Sequence, residues 1–123
     1  MGYRSQVKSV VYQTNDKFVK FANDYVDEIE YLTQEFYISY GTKGDYKVLY
    51  IDFDEIKWYD SFPEVIAWKA FLAKAEEEGL HYEFVRLGED DSDVEIDYGT
   101  NDSGNYILEL ERHIKTSCFL KLD

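Results

Sequence analysis

The chain has 123 residues, of which 45% are hydrophobic and 18% aromatic, and this composition suits one folded domain and excludes a disordered chain. Its 26 carboxylates against 13 Lys and Arg give a formal net charge of −13, which disfavours direct binding to nucleic acid or to an anionic membrane. The same charge favours a basic protein as partner, because opposite charges accelerate encounter.

The single cysteine, Cys118, excludes an internal disulfide and favours a reducing compartment. No apolar h-region of a secretory signal follows the first residues, and no apolar run approaches the roughly 20 residues that span a bilayer. We therefore expect one cytoplasmic domain, residues 1–123, that has no membrane association.

The first half of the chain is predicted to form a strand, a helix and a hairpin. Residues 5–13 are rich in β-formers, and the apolar stripe that follows recurs at steps of three and four residues. This stripe predicts a helix that begins at Thr14 or Asn15 and runs to about Thr33. Residues 36–40 and 46–53 are predicted strands, and the turn composition between them predicts that they pair as a hairpin.

The second half is predicted to hold one more helix and three strands. Ser61 as a cap, Pro63 in the first turn and Glu64 in a capping box predict a helix start, and Gly79 predicts its end. Alternating apolar residues predict strands at residues 80–87, 94–98 and 106–114.

The resulting order is β-α-β-β-α-β-β-β, which predicts an α+β fold. A mostly antiparallel sheet with both helices on one face is the simplest arrangement that buries the apolar stripes of both helices. The opposite face would then expose part of an aromatic and apolar set through which the protein could dimerise. This set consists of Tyr50, Trp58, His81 and Ile107.

No pattern predicts a catalytic residue or a cofactor site. His81, His113 and Cys118 lack the spacing of a known dyad, and we interpret them as sheet-surface histidines and a packing cysteine. Asp52 and Asp54 share one face of a strand, and paired carboxylates can do acid–base work. Among 26 acids such pairs arise by chance, so we interpret both as solvated residues at a strand end. A small hydrolase or nucleotide-handling enzyme is the alternative function, and it would use Asp52, Asp54 or His81.

A calcium site is not predicted either. Asp91, Asp93 and Glu95 match the first ligand spacings of an EF-hand loop. Ile96 then stands where that loop needs glycine, and Asp102 stands where it needs a bidentate glutamate. We therefore expect no metal.

Residues 87–111 hold nine carboxylates and no Lys or Arg. Several are predicted to point outward along two neighbouring strands and so to form an acidic face. This face is either a solubilising surface that also protects the sheet edges, or a docking surface for a basic site on a partner. The predicted partner-binding residues are Glu89, Asp90, Asp91, Asp93, Glu95, Asp97, Glu109 and Glu111.

Several short blocks, MGYRSQV at residues 1–7, KWYD at 57–60, Trp68 and YEFVRLGE at 82–89, resemble the recurring pattern of small uncharacterised proteins of tailed bacteriophages. The resemblance brings no activity and no functional residue. It implies expression in the cytoplasm of an infected bacterium, where small phage proteins often bind host proteins and acidic ones sometimes mimic nucleic acid.

The expected function is therefore that of a phage-type accessory protein, not an enzyme, whose acidic face docks on a basic host protein. The basic site on that host protein could be one that normally holds DNA or RNA. A homo-oligomeric structural protein with a merely solubilising acidic surface is a further alternative, beside the enzyme that would use Asp52, Asp54 or His81.

Overall fold

The computed structural model describes residues 3–33, 36–90 and 92–99. The predicted α+β class and the order β-α-β-β-α-β-β are confirmed, and the eighth predicted element, residues 106–114, lies outside the described residues. The elements are β1 (Ser5–Thr14), α1 (Asn15–Leu32), β2 (Ser39–Lys43), β3 (Tyr46–Ile56), α2 (Pro63–Glu77), β4 (His81–Leu87) and β5 (Val94–Gly99).

The five strands form one sheet in the order β2-β3-β1-β4-β5, and each neighbouring pair is antiparallel. β2 and β3 form the predicted hairpin. From β1 to β4 this is the split β-α-β arrangement of ferredoxin-like folds, to which β5 is added outside β4. Proteins of unrelated function share such folds, so the topology by itself indicates no activity.

Both helices pack on one face of the sheet, where their apolar stripes meet those of β1, β3 and β4 in the main core. Trp68 of α2 lies at its centre and is fully buried. Its indole Nε1 donates a hydrogen bond to Ser9 Oγ at 3.0 Å, and Ser9 Oγ donates to the Glu83 carbonyl oxygen at 3.0 Å. The packing of Trp68 and these hydrogen bonds together fix α2 against β1 and β4.

One predicted helix cap and one predicted strand boundary are corrected by the structure. α2 begins at Pro63 as expected, but Phe62 occupies the N-cap position and no side chain caps the helix, so the predicted capping box of Ser61 does not form. The second strand begins at Ser39 and not at Phe36. Phe36 is instead a core residue whose ring stacks on Trp58 at a centroid distance of 5.4 Å.

The aromatic set predicted for the opposite face is also corrected. Trp58 lies in the helix-side core, between the rings of Phe36 and Phe84, because the chain turns back under the helices after β3. Tyr50 and His81 are half-buried, and the strand register places both on the opposite face. Ile107 lies outside the described residues. None of the helices that the structure describes is long and apolar enough to cross a membrane.

Replacement of Trp68 by alanine should lower the free energy of unfolding by about 3–5 kcal/mol, because it leaves a large cavity under α2 and removes the bond to Ser9. Ile66→Ala, on the exposed side of the same helix, is the matched control and should change it by about 0.5 kcal/mol or less. Urea unfolding followed by circular dichroism measures both. Equal losses would contradict this description of the core.

Candidate functional site

Three of the predicted acidic residues, Glu89, Asp90 and Asp93, lie at the end of the sheet where β1 begins and β3 and β4 finish. Strand register places Ser5 opposite Ile56 of β3, and Gln6 opposite Leu87 of β4. The turn between β4 and β5 lies beside this point. We call this region the acidic end, and its members are Asp54, Glu55, Glu89, Asp90 and Asp93.

Arg86 of β4 holds two of the predicted carboxylates. Its Nη2 and Nη1 donate to the two carboxylate oxygens of Asp93 at 2.7 and 3.1 Å, and its Nε donates to Glu95 Oε1 at 3.1 Å. Bidentate arginine–carboxylate pairs of this kind are among the stronger polar contacts in proteins. The hydrogen bonds from Arg86 and from the Tyr3 hydroxyl lower the pKa of Asp93 to about 2. The bond to Asp93, in turn, raises the pKa of Arg86.

Glu95 and Asp97 lie on the side of β5 that faces the helices, where Glu95 is half-buried and Asp97 remains exposed. Glu95 Oε2 accepts a hydrogen bond from Lys69 of α2 at 3.0 Å, in addition to the bond from Arg86. Asp97 Oδ2 accepts from the Tyr82 hydroxyl at 3.0 Å. Burial, reinforced by that bond, raises the pKa of Tyr82. The two cations that pair with Glu95, Arg86 and Lys69, therefore come from outside the cation-free segment 87–111.

The N-terminal residues fasten the turn between β4 and β5. The Tyr3 hydroxyl donates to Asp93 Oδ2 at 2.6 Å and accepts from the Asp90 backbone N–H at 3.1 Å. The Arg4 backbone N–H donates to Glu89 Oε2 at 2.6 Å. A Cβ at Gly88 would displace the Asp93 carboxylate and the Tyr3 hydroxyl from these positions, so glycine permits their close approach.

The carboxylate of Asp90 shapes the same turn. Its Oδ1 accepts hydrogen bonds from the Ser92 backbone N–H at 2.9 Å and from the Ser92 hydroxyl at 2.8 Å, the pattern of an Asx turn. The Gly88 N–H donates to the Asp93 carbonyl at 2.8 Å and closes the turn. Glu89 and Asp90 are exposed at its tip. The other predicted partner-binding residues, Asp91, Glu109 and Glu111, lie outside the described residues.

A cleft of about 460 Å³ opens beside this turn. Three carboxylates, Asp54, Glu55 and Glu89, line it together with Arg4 and the aliphatic side chain of Leu87. Asp54 was predicted only as a possible catalytic residue, and no role in a site was predicted for Glu55. The register of β1 against both β3 and β4 brings Asp54 and Glu55 to the same cleft as Glu89. This register cannot be read from the spacing of residues in the sequence alone. The cleft can accept a cationic side chain.

The residues of the alternative enzyme do not meet. Asp52 pairs with Lys8, and the register places His81 opposite Tyr12, four residues further along β1, which is roughly 13 Å. His81 packs there against the rings of Tyr12 and Tyr46, with centroid distances of 5.3 and 6.0 Å. His113 and Cys118 lie outside the described residues. No group of three His, Cys, Asp or Glu within residues 3–33, 36–90 and 92–99 is placed to hold a metal ion.

An apolar groove of about 370 Å³ lies between α1 and α2. Ile29, Leu32 and Phe71 are among the side chains that line it. Lys74 also lines it and is engaged there by Glu77, whose Oε1 lies 3.4 Å from its Nζ. The groove therefore shows neither a catalytic arrangement nor a strong charge of one sign.

Comparisons with known proteins found no matching family model, no matching curated protein and no matching solved structure. The resemblance to proteins of tailed bacteriophages, carried by blocks such as residues 1–7 and 82–89, therefore stays a prediction.

Replacing Arg86 by glutamine should lower the free energy of unfolding by about 1.5–3 kcal/mol, the range for hydrogen bonds to charged groups. The variant leaves Asp93 and Glu95 without their shared cation. Lys74→Gln, which breaks the more exposed pair with Glu77, is the control and should lower the free energy of unfolding clearly less. Similar losses for the two variants in urea unfolding would contradict a special role of Arg86.

The lowered pKa of Asp93 predicts a pH dependence. Its carboxylate loses protons more readily in the folded state, so its contribution to stability is fully present above its ordinary pKa of 3.8. That contribution should disappear as the pH falls towards about 2, the folded pKa. Unfolding curves between pH 7 and 2.5 should show a steeper acid loss for the native sequence than for Asp93→Asn. Parallel pH profiles would exclude this assignment.

Proposed function

We propose that this protein works by binding a basic partner protein, and that the acidic end of the sheet is the contact surface. The observation that carries the proposal is the cleft that Asp54, Glu55 and Glu89 line beside the turn that holds Asp90. Three carboxylates against the single cation of Arg4 leave a negative charge at this opening, which attracts a lysine or arginine side chain.

The turn that presents Glu89 and Asp90 is preorganised. Arg86 and Tyr3 hold Asp93 from two sides, and the Arg4 backbone N–H holds Glu89. A surface that is ordered before binding loses less conformational entropy when the partner arrives, which favours affinity. We therefore assign Asp93, Glu95 and Asp97 to the frame of the surface. Asp54, Glu55, Glu89 and Asp90 are assigned to the contact, and Asp91, Glu109 and Glu111 remain predicted contacts.

The net charge of −13 supports a partner with a basic site, because long-range attraction speeds encounter. A site that normally binds DNA or RNA has this character, since Lys and Arg supply its affinity for phosphates. The resemblance to phage proteins favours a host protein in a bacterial cytoplasm. Self-association through β5 is the alternative, and the exposed Val94, Ile96 and Tyr98 favour it.

Charge reversal at the cleft tests the proposal. Asp54→Lys, Glu55→Lys and Glu89→Lys are combined in one variant, and Asp24→Lys, Asp27→Lys and Glu30→Lys on exposed positions of α1 form the control. Both change the net charge equally. The tagged native protein is used to capture its partner from a bacterial lysate. The two variants are then compared at about 0.15 M salt, where exposed charges are screened beyond about 8 Å. The cleft variant should capture less partner than the control variant by a factor of about ten or more.

Circular dichroism and urea unfolding verify that both variants are folded before capture is compared. Equal loss in both would mean that net charge alone matters, which is the solubilising interpretation. Retention of the partner by the cleft variant would exclude the acidic end as the contact surface.

A further inference from the structure

β2 is an edge strand of the sheet, and its outer side has no strand partner among residues 3–33, 36–90 and 92–99. We call this outer side of Ser39–Lys43 the β2 edge. In that part of the chain β2 pairs with β3 alone, and no backbone hydrogen bond from the described loops reaches it. The N–H and C=O groups on the outer side of an edge strand are a template for another extended chain. The β2 edge therefore offers a backbone interaction that the proposed function does not use.

The turn between β2 and β3 determines which backbone groups point outward. It consists of two residues, 44–45, and Lys43 and Tyr46 are the pair that closes it. The closing pair of such a hairpin is hydrogen-bonded, and hydrogen-bonded and open pairs then alternate along the antiparallel ladder. Every second residue of β2 therefore bonds to β3. The N–H and C=O groups of Tyr40 and Thr42 lie between these and point away from β3.

A pocket of about 330 Å³ lies between α1 and the β2 edge. Phe18 and Val19 of α1 line it, together with Tyr40 and Thr42 of β2 and Lys47 of β3. Val19 is 44% exposed and Tyr40 is 54% exposed, so this apolar surface is open to a ligand. Successive side chains of a strand point to opposite faces. Alternate side chains of a strand added at the β2 edge would therefore enter the pocket.

The charges around this pocket differ from one end of β2 to the other. Among the described residues that line the pocket, Lys47 is the charged one, and the register places it opposite Thr42. Near Tyr40 the charge is negative, because burial and the charges of Glu30 and Asp27 raise the pKa of Tyr40. Complementary charges set the register of a bound chain. The pocket therefore favours a carboxylate beside Thr42 and an uncharged, apolar side chain beside Tyr40.

We propose that the β2 edge binds an extended segment of a partner protein by strand addition. This segment places an acidic side chain beside Lys47 and, two residues away, an apolar side chain against Val19. In this mode of recognition main-chain hydrogen bonds supply affinity, and pockets for alternate side chains supply specificity. Exposed charges are screened beyond about 8 Å at physiological ionic strength, so the nearby Lys47 outweighs the distant carboxylates of a chain of net charge −13.

The proposal is independent of the proposed function. Lys47 and Glu55 lie at opposite ends of β3, eight residues apart, which is roughly 26 Å. The acidic end attracts a basic site, whereas the β2 edge binds an extended acidic segment. Either surface can therefore fail its test without affecting the other.

Selection from a library of short random peptides on the immobilised full chain tests the proposal. It should yield acidic peptides rich in β-branched residues, and their affinities are then measured on three variants. Thr42→Pro removes an outward N–H group and no bond to β3, a change that edge strands tolerate, and should weaken binding about tenfold or more. Lys47→Glu should weaken it severalfold. Lys57→Glu, an exposed lysine beyond the other end of β3, changes the net charge equally and should leave the affinity within about twofold.

Amide hydrogen exchange of the native protein with a selected acidic peptide gives a second measurement, which does not depend on the folding of Thr42→Pro. The amides of Tyr40 and Thr42 should exchange severalfold more slowly when the peptide is bound, because they gain hydrogen bonds. The Gly41 amide, which already bonds to β3, is the control and should change little. Selection of basic peptides only, equal affinities for Lys47→Glu and Lys57→Glu, or unchanged exchange at Tyr40 and Thr42 would overturn the proposal.

Discussion

The bidentate pair between Arg86 and Asp93 is the contact on which the order of the acidic end depends. In a chain of net charge −13, neighbouring carboxylates repel one another, and a turn that carries several of them needs a cation to close. Arg86 supplies it from a largely buried position, with 15% of its side chain exposed. It also joins Glu95, so β4, β5 and the turn between them are held by one guanidinium. Tyr3 completes the arrangement from the N-terminus.

The carboxylates of this region are of two kinds, according to whether or not Arg86 binds them. Asp93 and Glu95 are bound to Arg86, and they contribute to the fold. Glu89, with Asp54 and Glu55, lines an open cleft and contributes negative charge to that surface. Without a matching family or solved structure, and with a topology shared by unrelated proteins, the chemistry of this cleft is what supports the function. Acidity alone would support only solubility.

Much of the fold could be predicted from the sequence, because strand alternation and helical spacing are local signals. The order of elements, the hairpin of β2 and β3, and the placement of both helices on one face follow from them. The orientation of Glu95 did not follow, because Arg86 and Lys69 reach it from β4 and α2. The position of Glu55 in the same cleft as Glu89 did not follow either, since it depends on the register of three strands. Strand order and register arise from tertiary packing, which a single sequence does not specify locally.

We propose that a basic partner binds at the acidic end. Backbone amide chemical shifts of the isotope-labelled protein, recorded while the captured partner is added at about 0.15 M salt, test it most directly. We predict that the largest changes fall at Asp54, Glu55, Glu89 and Asp90, and that they weaken as salt is raised, because exposed charges are screened. Changes that cluster on the helices or on β5, while the acidic end stays unperturbed, would contradict the account.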